Sequence, residues 1–293
     1  MAKNSLQGME RAEDLARMAQ AGLERSCKQG FRDGLSLSAP EDGIERIEAR
    51  FRGNGFSPHR HDTYALGLTL HGIQTFRYRG EARFSMPGKV IVLHPDELHD
   101  GAAGTQDGLI YRMLYLPPEL VGAASGHLPF LRDPVVEDGA LWRALAQLLG
   151  DLQQEPDELA LDDAIGQIAA RLAQQAGSGR SKSKMLARPA LLQASDLLVS
   201  ESSRTIRSQA LEDLVGLDRY ELARQFRLLF GTSPHRYRIM RRLDHAKRLL
   251  RAGAGLAEAA AEAGFADQAH FTRHFRNSFG LTPGRWVGMR DSA

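Results

Sequence analysis

Cysteine is almost missing from this chain. Cys27 is the single one in 293 residues, so no intramolecular disulfide can form and a reducing, cytoplasmic setting is expected. Long apolar runs are missing as well. No stretch reaches the ~20 apolar residues of a membrane span, and charges from Glu10 to Arg17 interrupt any secretory leader. No membrane partner is therefore expected. Net charge is small, +2, and 42% of residues are hydrophobic, as in ordinary globular proteins. No nucleophile–base set can be assembled either. Ser57 and His59 are neighbours in sequence only, so an enzyme is not expected and no cofactor is called for.

The small net charge conceals an asymmetry. Residues 1–176 hold 18 Lys/Arg against 25 Asp/Glu, a net of −7, whereas residues 177–293 hold 20 against 11, a net of +9. The sign changes at Gly177–Lys184, GSGRSKSK, a Gly/Ser-rich basic stretch with the composition of a linker. A basic C-terminal part joined to an acidic one points to nucleic acid as a partner.

Before this stretch, short β-like runs (Ile44–Phe51, Tyr64–Leu70, Gln74–Tyr78, Val90–Leu93, Leu109–Leu116) are separated by Gly turns, which predicts a sandwich or barrel. From Leu141 to Leu172 the period becomes helical. Leu161, Ile165, Ile168 and Leu172 share one face, as do Leu141, Leu145, Leu148 and Leu152. These stripes fit helices covering the barrel and a dimer seam about equally, and the segment is assigned to dimerisation. After the linker only helical periods remain. The expected fold is α+β and multidomain. Residues 1–40 form an extension without assigned role, 41–140 a barrel, 141–176 a helical dimerisation segment, 177–187 a linker and 188–293 an all-α domain.

The all-α part contains a repeat. Leu222–Tyr237, LARQFRLLFGTSPHRY, and Phe271–Trp286, FTRHFRNSFGLTPGRW, lie 49 residues apart and share seven of 16 positions. In each copy a short helix and a Gly turn precede an Asp (Asp218, Asp267) able to cap the repeated helix. Gly231 or Gly280 then stops it, and Pro234 or Pro283 opens the next helix. Helix, Gly turn, helix is the helix-turn-helix pattern. The helix from Pro234 to about Arg251 would be a rod of roughly 27 Å. That is long enough to set two recognition helices near the ~34 Å spacing of successive major grooves. Leu222, Phe226 and Phe230, and Phe271, Phe275 and Phe279, face the core. The outward positions Tyr220, Arg224, Gln268, His270, Thr272 and Arg273 are the expected base contacts, since Arg grips guanine and Gln adenine bidentately. Arg227, Arg236, Arg276 and Arg285 are the expected phosphate contacts.

Gly216–Leu250, followed by AEAGFADQAHFTRHFRNSFGLTP, resembles the DNA-binding domain of AraC/XylS-type transcription regulators over about residues 188–288. The motifs GF-x-DQ-x-HFTRHF, F-x-x-x-FG-x-TP and RRL-x-x-A-x-x-LL occur in order. The resemblance implies a seven-helix domain with two helix-turn-helix units that activates or represses transcription. Double-stranded promoter DNA, RNA polymerase and a second copy of the chain are its implied partners. Ala223 and Ala269 depart from the pattern at outward positions.

Gly53-x5-His59-Arg60-His61 and Gly88-x5-His94 through His99 resemble the two cupin motifs. His59, His61 and His99 could hold Zn or Fe. The carboxylate slot of the first motif, however, holds Ala65, and no metal is expected there. HDTYALGLTLHGIQTFRYRG and YRMLYLPPEL resemble the sensor domains of AraC-type regulators, which implies a small-molecule effector. The expected effector pocket comprises His59, His61, Tyr64, Phe76, Tyr78, His99 and Tyr111. The sequence therefore predicts an effector-responsive DNA-binding regulator. The alternative is a metal-dependent cupin enzyme carrying a DNA-binding tail.

Overall fold

A computed structural model describes residues 33–38, 43–177 and 186–290. Ten strands come first, interrupted near their end by a helix: β1 (Gly34–Leu37), β2 (Glu45–Phe51), β3 (Asn54–His59), β4 (Tyr64–His71), β5 (Gln74–Tyr78), β6 (Glu81–Ser85), β7 (Val90–Leu93), β8 (His99–Ala103), β9 (Leu109–Leu116), α1 (Pro118–Ser125) and β10 (Val135–Val136). They form two antiparallel sheets, ordered β1-β2-β9-β4-β7-β10 and β3-β8-β5-β6. β1 completes the larger sheet, so part of the stretch left without a role belongs to the barrel.

Side chains alternate across each strand. Ile47, Ala49, Phe51, Ala65, Ile91, Leu93, Tyr111 and Met113 therefore face inward, with Phe76 and Tyr78 of the smaller sheet. The outward set Tyr64, Leu66, Leu68, Val90, Val92, Leu114 and Leu116 is buried too, beneath helices α2 (Gly139–Leu149) and α3 (Glu158–Gln175). α2 spends Leu141, Leu145 and Leu148 on this sheet, and α3 packs Leu161, Ile165, Ile168 and Leu172 into the same cluster against α1 and α2. The stripes assigned to a dimer seam are thus an intramolecular cover, and Leu152 lies beyond the end of α2.

Two buried arginines fasten the cover. Arg46 donates to the carbonyls of Leu148, Asp151 and Gln154, and Arg112 donates to Leu149 and Gly150 while pairing with Glu48 at 2.7 Å. Both cations thereby satisfy orphan carbonyls at the C-terminal end of α2. Asp138 caps the other end, accepting from Ala140 N and Leu141 N, and holds Arg171 of α3 at 2.7 Å. Burial would raise this carboxyl, but Arg171, Gln175 and the Leu141 amide hold it down at about 2.

The linker stretch 178–185 falls outside the described residues, as does most of 1–40. Seven helices follow: α4 (Arg188–Ser200), α5 (Ser208–Val215), α6 (Arg219–Phe230), α7 (Pro234–Arg251), α8 (Leu256–Glu262), α9 (Gln268–Phe279) and α10 (Pro283–Arg290). The first unit has its own core, with Leu191, Leu211, Phe226, Phe230 and Tyr237. The second, with Phe271, Phe275 and Trp286, belongs to one apolar cluster with the barrel interior.

Candidate DNA-binding surface and effector cavity

The repeat predicted two capped recognition helices, and α6 and α9 are those helices. Asp218 accepts from Tyr220 N and Glu221 N, and Asp267 accepts from His270 N at 2.6 Å. Gly231 and Gly280 end them at φ 69° and 70°, a left-handed geometry that suits glycine. Ser233 caps α7, whose first residue is Pro234.

On α6, Tyr220 is 81% exposed and Arg224 is exposed, bonded to Glu221 at 2.5 and 2.8 Å. On α9, Gln268, Arg273 and Arg276 are exposed. His270 departs from its expected outward position. It is half-buried, with Nε2 2.9 Å from that of His274 and its ring against Phe265. A helical side chain points back over the preceding turn, and here apolar packing wins over exposure. Thr272 is half-buried beside Ser57 and Pro58 of β3. Of the expected phosphate contacts, Arg227 and Arg285 are exposed, and Arg276 reaches Ser57 Oγ at 3.4 Å. Arg236 is turned away from solvent. It pairs with Asp96 at 2.9 Å and donates to the Arg60 carbonyl.

That contact belongs to a continuous junction between barrel and helices. Ser57 N donates to Gly280 O and Arg60 N to Asn277 O, so β3 hydrogen-bonds the C-terminal turn of α9. Three barrel carboxylates take up four cations of α7. Asp96 holds Arg236, Asp62 holds Arg241 at 2.8 Å, and Glu45 holds Lys247 and Arg251 at 2.5 and 2.6 Å. Burial alone would raise the Glu45 carboxyl, yet Lys247 and Arg251 bring it below the usual carboxylate value.

A cavity of about 590 Å³ opens at this junction. Its apolar walls include Leu37, Ile47, Phe56, Met240 and Trp286, and its charged wall includes Glu45, Lys247 and Arg251. His59 and His61 form part of its floor, and a chamber of about 20 Å³ behind them also touches His99, Phe76 and Tyr111. Burial, and for the first two the neighbouring imidazoles, lower His59 and His61 well below the ordinary histidine value. Burial lowers His99 to about 4.

Five of the seven expected pocket residues therefore meet: His59, His61, His99, Phe76 and Tyr111. Tyr64 does not, because it lies on the outward face of β4 and donates to the Pro129 carbonyl. Tyr78 does not line the chamber either: it pairs across β5 and β8 with His99, but its hydroxyl is taken up by His94 Nδ1 at 2.8 Å. Sequence reasoning missed Gln74 and Tyr115 on the barrel strands, and Arg241, Lys247 and Arg251 of α7, a helix read mainly as a spacer between recognition helices.

A barrel with an internal cavity, fused to two helix-turn-helix units, defines a ligand-sensing transcription regulator in a single chain. Comparison with known families narrows the class. Residues 43–169 match the AraC-like ligand binding domain, and residues 211–289 match a helix-turn-helix domain. The chain belongs to the AraC family of transcriptional regulators. It is 26% identical over 235 residues to the HTH-type transcriptional regulator YbfI of Bacillus subtilis, covering 76% of this chain and 85% of that one. It is 24% identical over 253 residues to the transcriptional activator RhaS of Escherichia coli, covering 81% and 89%. The fold is similar to that of ToxT from Vibrio cholerae, with TM-score 0.63, 12% identity, and 84% of this chain and 98% of that one covered. A second ToxT structure, with unsaturated fatty acid bound, has TM-score 0.62 at 12% identity and covers 90% and 99%. The chain is thus a DNA-binding regulator with a ligand-binding N-terminal domain, in a family of regulators rather than enzymes. Among the described residues no helix is long and apolar enough to cross a membrane.

Proposed function

We propose that the effector occupies the cavity between barrel and α7, and that its binding changes how freely α9 reaches DNA. The observation that carries this reading is the shared location of cavity and junction. The cavity walls include Glu45, Lys247 and Arg251, the same residues that bind barrel to helices. An anionic head competing with Glu45 for these cations, on an apolar body against Phe56, Met240 and Trp286, suits this lining. The unsaturated fatty acid bound to ToxT belongs to that chemical class. Base reading is assigned to Tyr220, Arg224, Gln268 and Arg273, with Thr272 joining once β3 moves aside. Phosphate contacts fall to Arg227, Arg276 and Arg285, and to Arg236 after it leaves Asp96. Promoter binding in the cytoplasm as a homodimer, with contact to RNA polymerase, completes the proposal. With the apolar faces of α2 and α3 already covered, a dimer would use other surfaces.

Genomic footprinting of the full chain, repeated with a panel of amphiphilic carboxylates, tests this. Protected promoters whose occupancy changes with one class of ligand are expected. Occupancy indifferent to the whole panel would reject the effector assignment, while leaving DNA binding intact.

A further inference from the structure

The two copies of the repeat share a side-chain device besides their caps. Glu221 and His270 are equivalent positions 49 residues apart, as are Gln225 and His274. In each copy the earlier residue lies in the first turn of the recognition helix and is half-buried. In each copy the residue four positions later bonds it. Gln225 Nε2 donates to Glu221 Oε1 at 2.7 Å, and His274 Nε2 lies 2.9 Å from His270 Nε2. Residues four apart are neighbours on one helix face, so the pairing is local. Its recurrence makes it a feature of the repeat. Its chemistry differs, carboxylate in one copy and imidazole in the other, as two unlike half-sites require. Gln225 is itself fixed. It is 7% exposed, and its Oε1 accepts from Ala187 N at 2.8 Å. The amide therefore has one orientation, oxygen towards Ala187 and nitrogen towards the carboxylate. α6 thus presents a carboxylate held from behind, next to Tyr220 and Arg224.

We propose that Glu221 is a specificity-determining residue of the first half-site, accepting a hydrogen bond from the N4 amino group of a cytosine beside the guanine read by Arg224. The proposal rests on the assignment of α6 to base reading. Without DNA, the carboxylate accepts from Arg224 Nε at 2.8 Å and Nη2 at 2.5 Å, as well as from Gln225. When Arg224 swings to guanine O6 and N7, those two bonds break, while Gln225 keeps the carboxylate in place. A charged acceptor that loses donors in a desolvated interface is costly. A donor on a base edge repairs the loss. Guanine and thymine present acceptors there and repel a carboxylate. Adenine presents a donor with its N7 acceptor alongside. Cytosine presents its amino group and no acceptor. Phosphate is no partner, because two anions repel. First-turn residues of a recognition helix reach base edges, and Glu221 is the third residue of α6. Its contribution is the cost it imposes on wrong bases, so it adds discrimination rather than affinity.

Selection of bound sequences from a footprinted promoter, randomised across the half-site, tests this with the full chain. Glu221→Gln should abolish a cytosine preference of at least about fivefold at one position. Preference there should move towards adenine, which a glutamine amide reads bidentately. The same change should tighten binding to unrelated DNA roughly two- to threefold at low salt, since one negative charge is gone. A merely structural role would weaken both. Gln225→Met, similar in volume but unable to bond Glu221, should also reduce the cytosine preference, with urea unfolding showing that the first unit is folded. Glu221→Gln alters a half-buried residue and keeps the test independent of whether Gln225→Met folds. Guanine preference lost in Arg224→Ala, with cytosine preference unaltered in Glu221→Gln, would overturn the proposal and leave α6 as a base reader. Guanine preference unaltered in Arg224→Ala would overturn that assignment and the proposal together.

Discussion

Arg273 and Arg276 stand one turn apart on α9, both exposed, but different work is expected of them. Arg273→Ala should cost roughly 1–3 kcal/mol of specific DNA binding and relax preference at one base, measured by competition between mutated sites. Arg224→Ala should cost less, because Arg224 must first leave Glu221, its partner in a solvent-screened surface ion pair. Arg276→Ala should weaken binding to every sequence alike and flatten the salt dependence, and an unaltered salt slope would remove its phosphate role. At the same scale His94 makes a prediction about pH. Burial and the Arg79 guanidinium lower its imidazole to about 3, and its Nε2 accepts from Leu131 N–H at 2.9 Å, so protonation there breaks a buried bond. An unfolded histidine titrates near ~6.5. Between these values the unfolded chain holds the extra proton. The contribution of His94 is therefore intact above about pH 6.5 and is lost as pH falls towards about 3, at up to about 1.4 kcal/mol per unit. His94→Gln should reduce proton uptake on unfolding near pH ~5 by about one proton. An unchanged slope of unfolding free energy against pH would show that His94 is not held neutral.

Elements whose ends are defined locally were legible, and elements defined by distant partners were not. Asp218, Asp267, Ser233, Gly231 and Gly280 cap their helices within a few residues, and α6, α7 and α9 have the expected bounds. β3 contains Gly55 and Pro58 and pairs with β8 through two register shifts, so neither strand has a clean alternating pattern. An apolar stripe reports that a helix face is buried but not what buries it, which is why α2 and α3 read as a dimer seam. The three histidines were visible as a motif, whereas their Nδ1 bonds to the Ser57, Thr63 and Glu97 carbonyls exist only in the folded turns. Gly280 offers a test of how these elements meet. An alanine there would take up a left-handed conformation costing about 1–2 kcal/mol, and its Cβ would lie 2.7 Å from His59 Nδ1 and 2.8 Å from Ser57 O. Gly216 is the control, with φ 67° and nothing within 4 Å of the added Cβ. Gly216→Ala should lose only the conformational part in urea unfolding, and Gly280→Ala distinctly more. Equal losses would mean that β3 is not seated on α9 in solution.

At the scale of the whole molecule, the charge asymmetry was readable but its use was not. A net of −7 over residues 1–176 and +9 over residues 177–293 suggested that the basic part serves DNA. In the fold, part of that charge is answered within the chain, because Glu45, Asp62 and Asp96 occupy cations of α7. On the proposed function, DNA phosphate and the Asp96 carboxylate compete for Arg236 of that helix. Asp96→Asn isolates this competition. Asp96 already has φ 61°, a conformation that asparagine tolerates, so the change removes charge without forcing the backbone. Arg236 loses its counter-ion, the docked arrangement weakens, and the guanidinium becomes available to phosphate. DNA affinity in the absence of effector should rise about five- to tenfold, equivalent to about 1–1.4 kcal/mol. The gain should shrink at high salt, because the partly exposed Asp96–Arg236 pair is already screened there. Fluorescence anisotropy with a footprinted promoter fragment measures both effects. An affinity equal to that of the unaltered chain at low salt would show that the barrel and DNA do not share Arg236, and the regulatory link would then have to run through the cavity alone.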